Sequence, residues 1–429
     1  MMIVRALGLI TLLLVVFPAL STDAAAPEVC LRVETVISRP ADDVEPVWSP
    51  DGSRIAFVGH DEGNPEVYVY DPATSPRIVN ISHDPLDDYA PLWSPDGRYL
   101  VYLHRQVRYA WQPVQPIIVD LTSGNHQPVT TEFLSVRDMQ WTPDSQALLY
   151  ADQNGYHRYD LARRENVTLS TVANPVTSYF TVSASQNRQR AVIIPWNELP
   201  RVIDTTSGAT LVTSDESFNR ASLSPDGSQL VYIEGNPPAQ SFLYAADIAS
   251  GQHSQLASAD ERGIAQLTWS PDGRLAWTEV GWDRDANSPI TTLRLSSDLT
   301  SAGRELLTIH HDIRQLAWSP TRDQLAFITY AGVYVIDIPS GVFHEFIQGY
   351  GYITKIAWSA DGDYLAAQIS VVADYAPYSA VAITDIAHGD VSLLEGNFLM
   401  HGWSPSANKL LVTGSGRETD VMLLTPCAP

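Results

Sequence analysis

Nine times along the chain a short phrase returns, in its fullest form Trp-Ser-Pro-Asp-Gly followed by an apolar run. Full copies start at Trp48, Trp93 and Trp269, and weaker ones at Trp141, Val182, Leu223, Trp318, Trp358 and Trp403. The steps between them are 45, 48, 41, 41, 46, 49, 40 and 45 residues. A period of roughly 40–50 residues with β-type patterning is the mark of propeller blades. One small sheet leaves its edges and faces open, and arranging the copies radially protects both.

Within each unit the spacing predicts four short strands, A to D. Strand A ends on the marker, as in Gln315-Leu316-Ala317-Trp318. Ser-Pro-Asp-Gly is a tight-turn sequence, because Pro fixes φ and Gly accepts a positive one. Strand B follows, for example Ile55-Ala56-Phe57-Val58, and strand C ends on aspartate, as in Val67-Tyr68-Val69-Tyr70-Asp71. These runs are rich in β-branched and aromatic residues and bounded by turn formers. Seven of the 11 tryptophans occupy the marker, where a large ring packs between twisted neighbouring sheets. The last unit, from Trp403, has strands A to C only, and Leu31 to Ser38 reads as its missing strand D. The expectation is an all-β fold: one closed β-propeller of four-stranded blades over residues 27–429, with the ring closed by the N-terminal strand. The repeat count gives nine blades; eight is the alternative if the degenerate unit at Val182 or Leu223 merges with its neighbour.

Closure also bears on the two cysteines, Cys30 and Cys427. An even count in an exported chain favours a disulfide, and a closed ring brings these two together. Export is read from residues 1–26: Arg5, an apolar stretch from Leu7 to Leu20, then Ala24-Ala25-Ala26 as a cleavage context. The expected location is secreted or otherwise extracytoplasmic. No later apolar run is long enough to span a bilayer. A formal net charge of −23 argues against nucleic acid, which needs a basic stripe. The expected state is a monomer.

The phrases resemble the TolB-type, WD40-like propeller repeat over roughly residues 31–425. Trp-Ser-Pro-Asp-Gly, a strand, then Tyr-x-x-Asp carries the likeness, which implies an exported bacterial propeller. The separate N-terminal domain of the family's namesake is absent from this stretch, and so is the Gly-His and Trp-Asp signature of true WD40 blades. The resemblance therefore implies a fold and not a site.

Motifs of chemistry are sparse. There is no Gly-x-Ser-x-Gly elbow, no His-Glu-x-x-His and no paired-cysteine motif, so neither a cofactor nor a metal is expected. Asp283-x-Asp285-x-Asn287 opens like a calcium loop but lacks the glycine and the closing carboxylate, with Ser288 and Arg294 in those places. Asn80-Ile81-Ser82 and Asn166-Val167-Thr168 are glycosylation sequons. Geometry is more informative. B–C and D–A loops emerge on one face of a propeller, and here the B–C loops vary, with long ones expected from His104 to Pro116, Glu279 to Pro289 and Val371 to Tyr378. They carry Tyr109, Trp111, Trp282, Tyr375 and Tyr378. The D–A loops of that face add Asp84, Asp87, Asp88, Tyr89, His311, Asp312, Tyr350 and Tyr352. Variable loops on a rigid scaffold are where function concentrates, and aromatic rings beside charge suit recognition. The expected function is a non-catalytic exported scaffold that binds a protein, peptide or glycan across this face, with Asp87 and Asp88 on its rim. The alternatives are a polysaccharide lyase or hydrolase, which needs His311, Asp312 and Asp88 converging near the channel, and a structural or cell-surface display module.

Overall fold

The computed structural model describes residues 31–426 except 61–62, 106–112, 137, 172–179, 196–198, 215–217, 219, 236–240, 260–262, 300–301, 331, 350, 372–377 and 416–417. Cys30, Cys427 and the leader lie outside the described residues. What is described forms nine four-stranded antiparallel sheets, one per repeat, so nine blades is the count and eight is set aside. No helix among the described residues is long and apolar enough to cross a membrane. Strand A of the first blade (Asp43–Trp48) touches strand A of the second and of the ninth (Phe398–Trp403), and the A strands of the sixth to ninth blades touch in succession.

The ring closes as the incomplete last unit predicts. Leu31–Ile37 runs antiparallel to Thr419–Pro426, with Leu31 opposite Pro426, Val33 opposite Leu424 and Ile37 opposite Val421. Ile37 is fully buried and packs with Phe57 and Tyr68 of the first blade and Leu411 of the ninth. The cores lie between blades: Ala56 and Val58 of the first pack on Trp93 and Leu100 of the second, and Ala366 and Val381 of the eighth pack on Leu410 and Val412 of the ninth.

The repeated phrase has a local cause. Ser49 Oγ donates to Asp51 Oδ1 at 2.5 Å and accepts the Arg54 amide at 2.9 Å, which ties the A–B turn at both ends. Gly52 takes φ of +71°, a region where a side chain is strained. The serine–aspartate pair recurs at Ser94–Asp96, Ser224–Asp226 and Ser359–Asp361, each at 2.6 Å. The marker tryptophans add a stitch between blades. The Trp93, Trp141, Trp358 and Trp403 indole N–H groups donate to Val47, Leu92, Ala317 and Ala357, each the residue before the marker of the preceding blade.

Candidate functional site

Two features occupy the face that carries the B–C and D–A connections. The first is a polar cluster where the second blade meets the end of the first. In the second blade, strand A (Asp87–Trp93) pairs with strand B (Tyr99–Arg105), and Asp88 stands directly opposite His104. His104 Nδ1 lies 2.7 Å from Asp88 Oδ1 and 3.7 Å from Asp84 Oδ2. Asp88 has no exposed surface, and its Oδ2 has no hydrogen-bond partner among the described residues. Burial pushes the Asp88 carboxyl up to about 6 against the opposing pull of His104. The hydrogen bond that His104 donates to Asp88 in turn raises His104. The pair thus holds a proton where an isolated carboxylate would have lost it.

Behind this pair the first blade supplies a fixed wall. Buried Glu66 accepts the Ser82 hydroxyl and the Asn64 amide, and it faces the Asp84 backbone N–H. The Asp88 amide donates to Pro65 O at 2.8 Å, which joins the two blades. A pocket of ≈ 550 Å³ opens beside the cluster, lined by Asp84, Tyr102, His104, Gln115 and His126. Tyr102 and His126 Nδ1 are within 3.2 Å of each other; burial raises the phenol and lowers the imidazole.

The second feature is a set of bare apolar side chains on the sixth to ninth blades. Trp282 is 59% exposed, and Tyr330, Tyr352 and Leu399 are each about half exposed at 52%, 50% and 54%. Tyr330 and Tyr352 meet edge to face at 6.1 Å, and the Arg314 guanidinium lies 4.6 Å from the Tyr330 ring centre. A second pocket of ≈ 440 Å³ is lined by Arg220, Gln266, Asp312, Arg314 and Tyr330.

Of the residues singled out from the sequence, Trp282 and Tyr352 are exposed on this face. Tyr378 begins a strand (Tyr378–Asp385) and is half-buried against the eighth blade's core. Tyr89 is half-buried beneath Arg105, 4.0 Å from its ring centre. Asp87 and Asp88 are buried, not on a rim, because they open strand A and enter the ladder. His311 is exposed and Asp312 half-buried. Asp312 lines a pocket of the fifth to seventh blades whereas Asp88 lies at the second, so the convergence an acid–base site requires does not arise among these residues. Tyr109, Trp111, Tyr350 and Tyr375 lie outside the described residues. The segment from Glu279 to Pro289, expected as a loop, is mostly strand: Leu275–Asp283 pairs with Ser288–Ser296, and Trp282 faces Pro289. Asp283 caps that hairpin by accepting the Asp285 and Ala286 amides. The sequence reading gives no role to His104, Tyr330 or Leu399.

Residues 31–173 match the family model described as TolB beta propeller domain. Over 56 residues the chain is 46% identical to the Tol-Pal system protein TolB of Bordetella pertussis, a stretch covering 13% of this chain and 11% of that protein. Among solved structures, dipeptidyl peptidase 4 of Porphyromonas gingivalis superposes with a TM-score of 0.60 at 10% identity, covering 86% of this chain and 64% of that one. A eukaryotic initiation factor gives 0.61 at 14% identity, covering 91% of each chain. At such identities the likeness shows the fold alone.

Proposed function

From a chain whose repeats belong to the TolB-type propeller family, we propose an exported, non-catalytic scaffold that captures a protein, peptide or glycan on the face bearing the B–C and D–A connections. One observation carries the reading: Trp282, Tyr330, Tyr352 and Leu399 leave large apolar surface in water on four successive blades of that face. Scattered single exposures need no explanation, but a recurring set on one face does. Rigid rings with a cation at hand are also the chemistry of binding hot spots. The A–B turns of the opposite face are tied by their own serine–aspartate bonds and leave less to vary. The extracytoplasmic setting rests on the leader-like first 26 residues. The role of TolB as a whole is not transferred, since the shared stretch is about a tenth of its length.

Screening against a glycan array and a phage-displayed random peptide library tests this directly. Binders found with the unaltered protein should lose roughly several hundredfold in affinity on the Trp282→Ala, Tyr352→Ala double replacement, at about 2 kcal/mol or more per lost anchor, with little change in melting temperature. Binding that survives intact while the melting temperature falls would make these rings structural and place recognition elsewhere.

A further inference from the structure

We propose that Asp84, Asp88 and His104 bind a divalent transition-metal cation of the Zn2+ or Mn2+ kind in the cleft between the first and second blades. The ligand atoms of the three side chains lie within 4.8 Å of one another. Metal–nitrogen and metal–oxygen bonds of about 2.0–2.2 Å set neighbouring ligand atoms roughly 3–3.6 Å apart. The observed separations of 2.7 and 3.7 Å from His104 Nδ1 bracket that spacing. On the histidine side an ion would need adjustments of a few tenths of an ångström, and the two carboxylates would close on it from no more than 4.8 Å apart.

An independent observation asks for a cation. Asp88 is fully buried, yet among the described residues its Oδ2 receives no hydrogen bond of good geometry. The hydroxyl of Ser82 in the same wall donates to Glu66 instead. A buried carboxylate oxygen without a partner costs free energy that the fold must offset elsewhere. One imidazole proton cannot satisfy Asp88 and Asp84 together, since the latter at 3.7 Å is beyond hydrogen-bonding reach. A cation coordinated by both carboxylates and by neutral Nδ1 would give the buried Asp88 carboxylate the partner it lacks and draw the partly exposed Asp84 into the same contact. One nitrogen and two carboxylate oxygens favour Zn2+ or Mn2+ over Ca2+, which prefers six to eight oxygens. Three protein ligands leave an open coordination position toward the pocket lined by Tyr102, Gln115 and His126, with room for water or a ligand oxygen.

The test uses the full chain without a histidine tag, stripped with chelator and titrated calorimetrically with Zn2+, Mn2+ and Ca2+. One Zn2+ or Mn2+ per chain is expected, and Co2+ substitution should give visible absorption bands. His104→Ala and Asp84→Asn should each weaken binding by at least about tenfold. Replacing His388, which forms an exposed pair with Asp385 on the eighth blade, should leave it unchanged. Asp84 is partly exposed, so Asp84→Asn is decisive even if the His104 variant fails to fold. No heat up to millimolar metal, an affinity indifferent to Asp84→Asn, or a preference for Ca2+ would each overturn the proposal.

Discussion

The tryptophan stitches give the sharpest energetic prediction, because the molecule contains its own control. Trp358 and Trp318 occupy equivalent ends of strand A on adjacent blades, and both are half-buried. The Trp358 indole N–H donates to Ala317 O at 2.9 Å. That of Trp318 is buried with no acceptor among the described residues. Replacement by Phe removes nearly the same ring area from both, so the packing loss largely cancels in the comparison. At Trp358 the change also deletes a hydrogen bond, with a net loss of about 0.5–1.5 kcal/mol. At Trp318 it deletes an unsatisfied buried donor and recovers about 1–3 kcal/mol. Trp358→Phe should therefore destabilise by about 2 kcal/mol more than Trp318→Phe, taking values near the low ends of both ranges. Urea unfolding followed by far-UV circular dichroism, at unchanged m-value, measures that difference. Equal losses within about 0.5 kcal/mol, the smallest net worth of a hydrogen bond, would show that the indole N–H contributes nothing and that the marker is selected for ring volume alone.

Two further outcomes follow. Burial lowers His401 from 6.5 to about 4, with Lys355 adding to the effect, while its Nε2 pairs with Thr413 Oγ1 at 2.8 Å. A folded-state pKa depressed below the unfolded value supplies stability above about pH 6.5 that is lost as pH falls toward 4, so wild type and His401→Gln should converge by up to about 3 kcal/mol across that window in pH-dependent unfolding; a constant gap refutes the assignment. The register that ends with Leu31 opposite Pro426 sets positions 30 and 427 against each other if continued by one pair, so Cys30 and Cys427 should form a disulfide in exported protein and give no free thiols on titration in denaturant without reductant. Reduction should then lower stability by on the order of 5 kcal/mol, the loop-closure estimate for so long a ring.

The architecture was legible because nearly every cue is local and repeated. The turn chemistry of Ser49-Pro50-Asp51-Gly52, the apolar run Ile55 to Val58 and the aspartate after strand C each determine a few residues, and nine repetitions average out the degenerate copies at Val182 and Leu223. Ring closure was legible too, since a unit short of one strand and a spare strand at the other end have one economical solution. The proposed recognition face was partly legible: Trp282 and Tyr352, both singled out from the sequence, are exposed, but Tyr378 is half-buried, and Tyr330 sits in a tight B–C connection that loop length does not flag.

The buried cluster was hidden for a specific reason. In the hairpin that joins strands A and B of the second blade, Trp93 faces Leu100 and Leu92 faces Val101. Continued without interruption, that register would set Asp88 against Arg105 and His104 against Tyr89, which gives an ordinary surface ion pair and no cluster. The register instead slips by one between Tyr89 and Leu92, where Ala90 takes φ of +54°. A one-residue slip moves each later side chain to a new partner and the opposite face. It brings Asp88 onto His104, and the bulge is held by the neighbouring blade, whose Glu45 carboxylate accepts the Ala90 amide at 2.8 Å. Alanine carries no sequence signal for a positive φ, and the contact that fixes it comes from 45 residues away in the chain. The same slip recurs in strand A of the first, sixth and ninth blades, so the bulge belongs to the repeat, and what is particular to the second blade is the Asp88–His104 pairing it produces. Replacing Glu45 by Gln, which retains an acceptor, should preserve metal binding better than Glu45→Ala, which removes it.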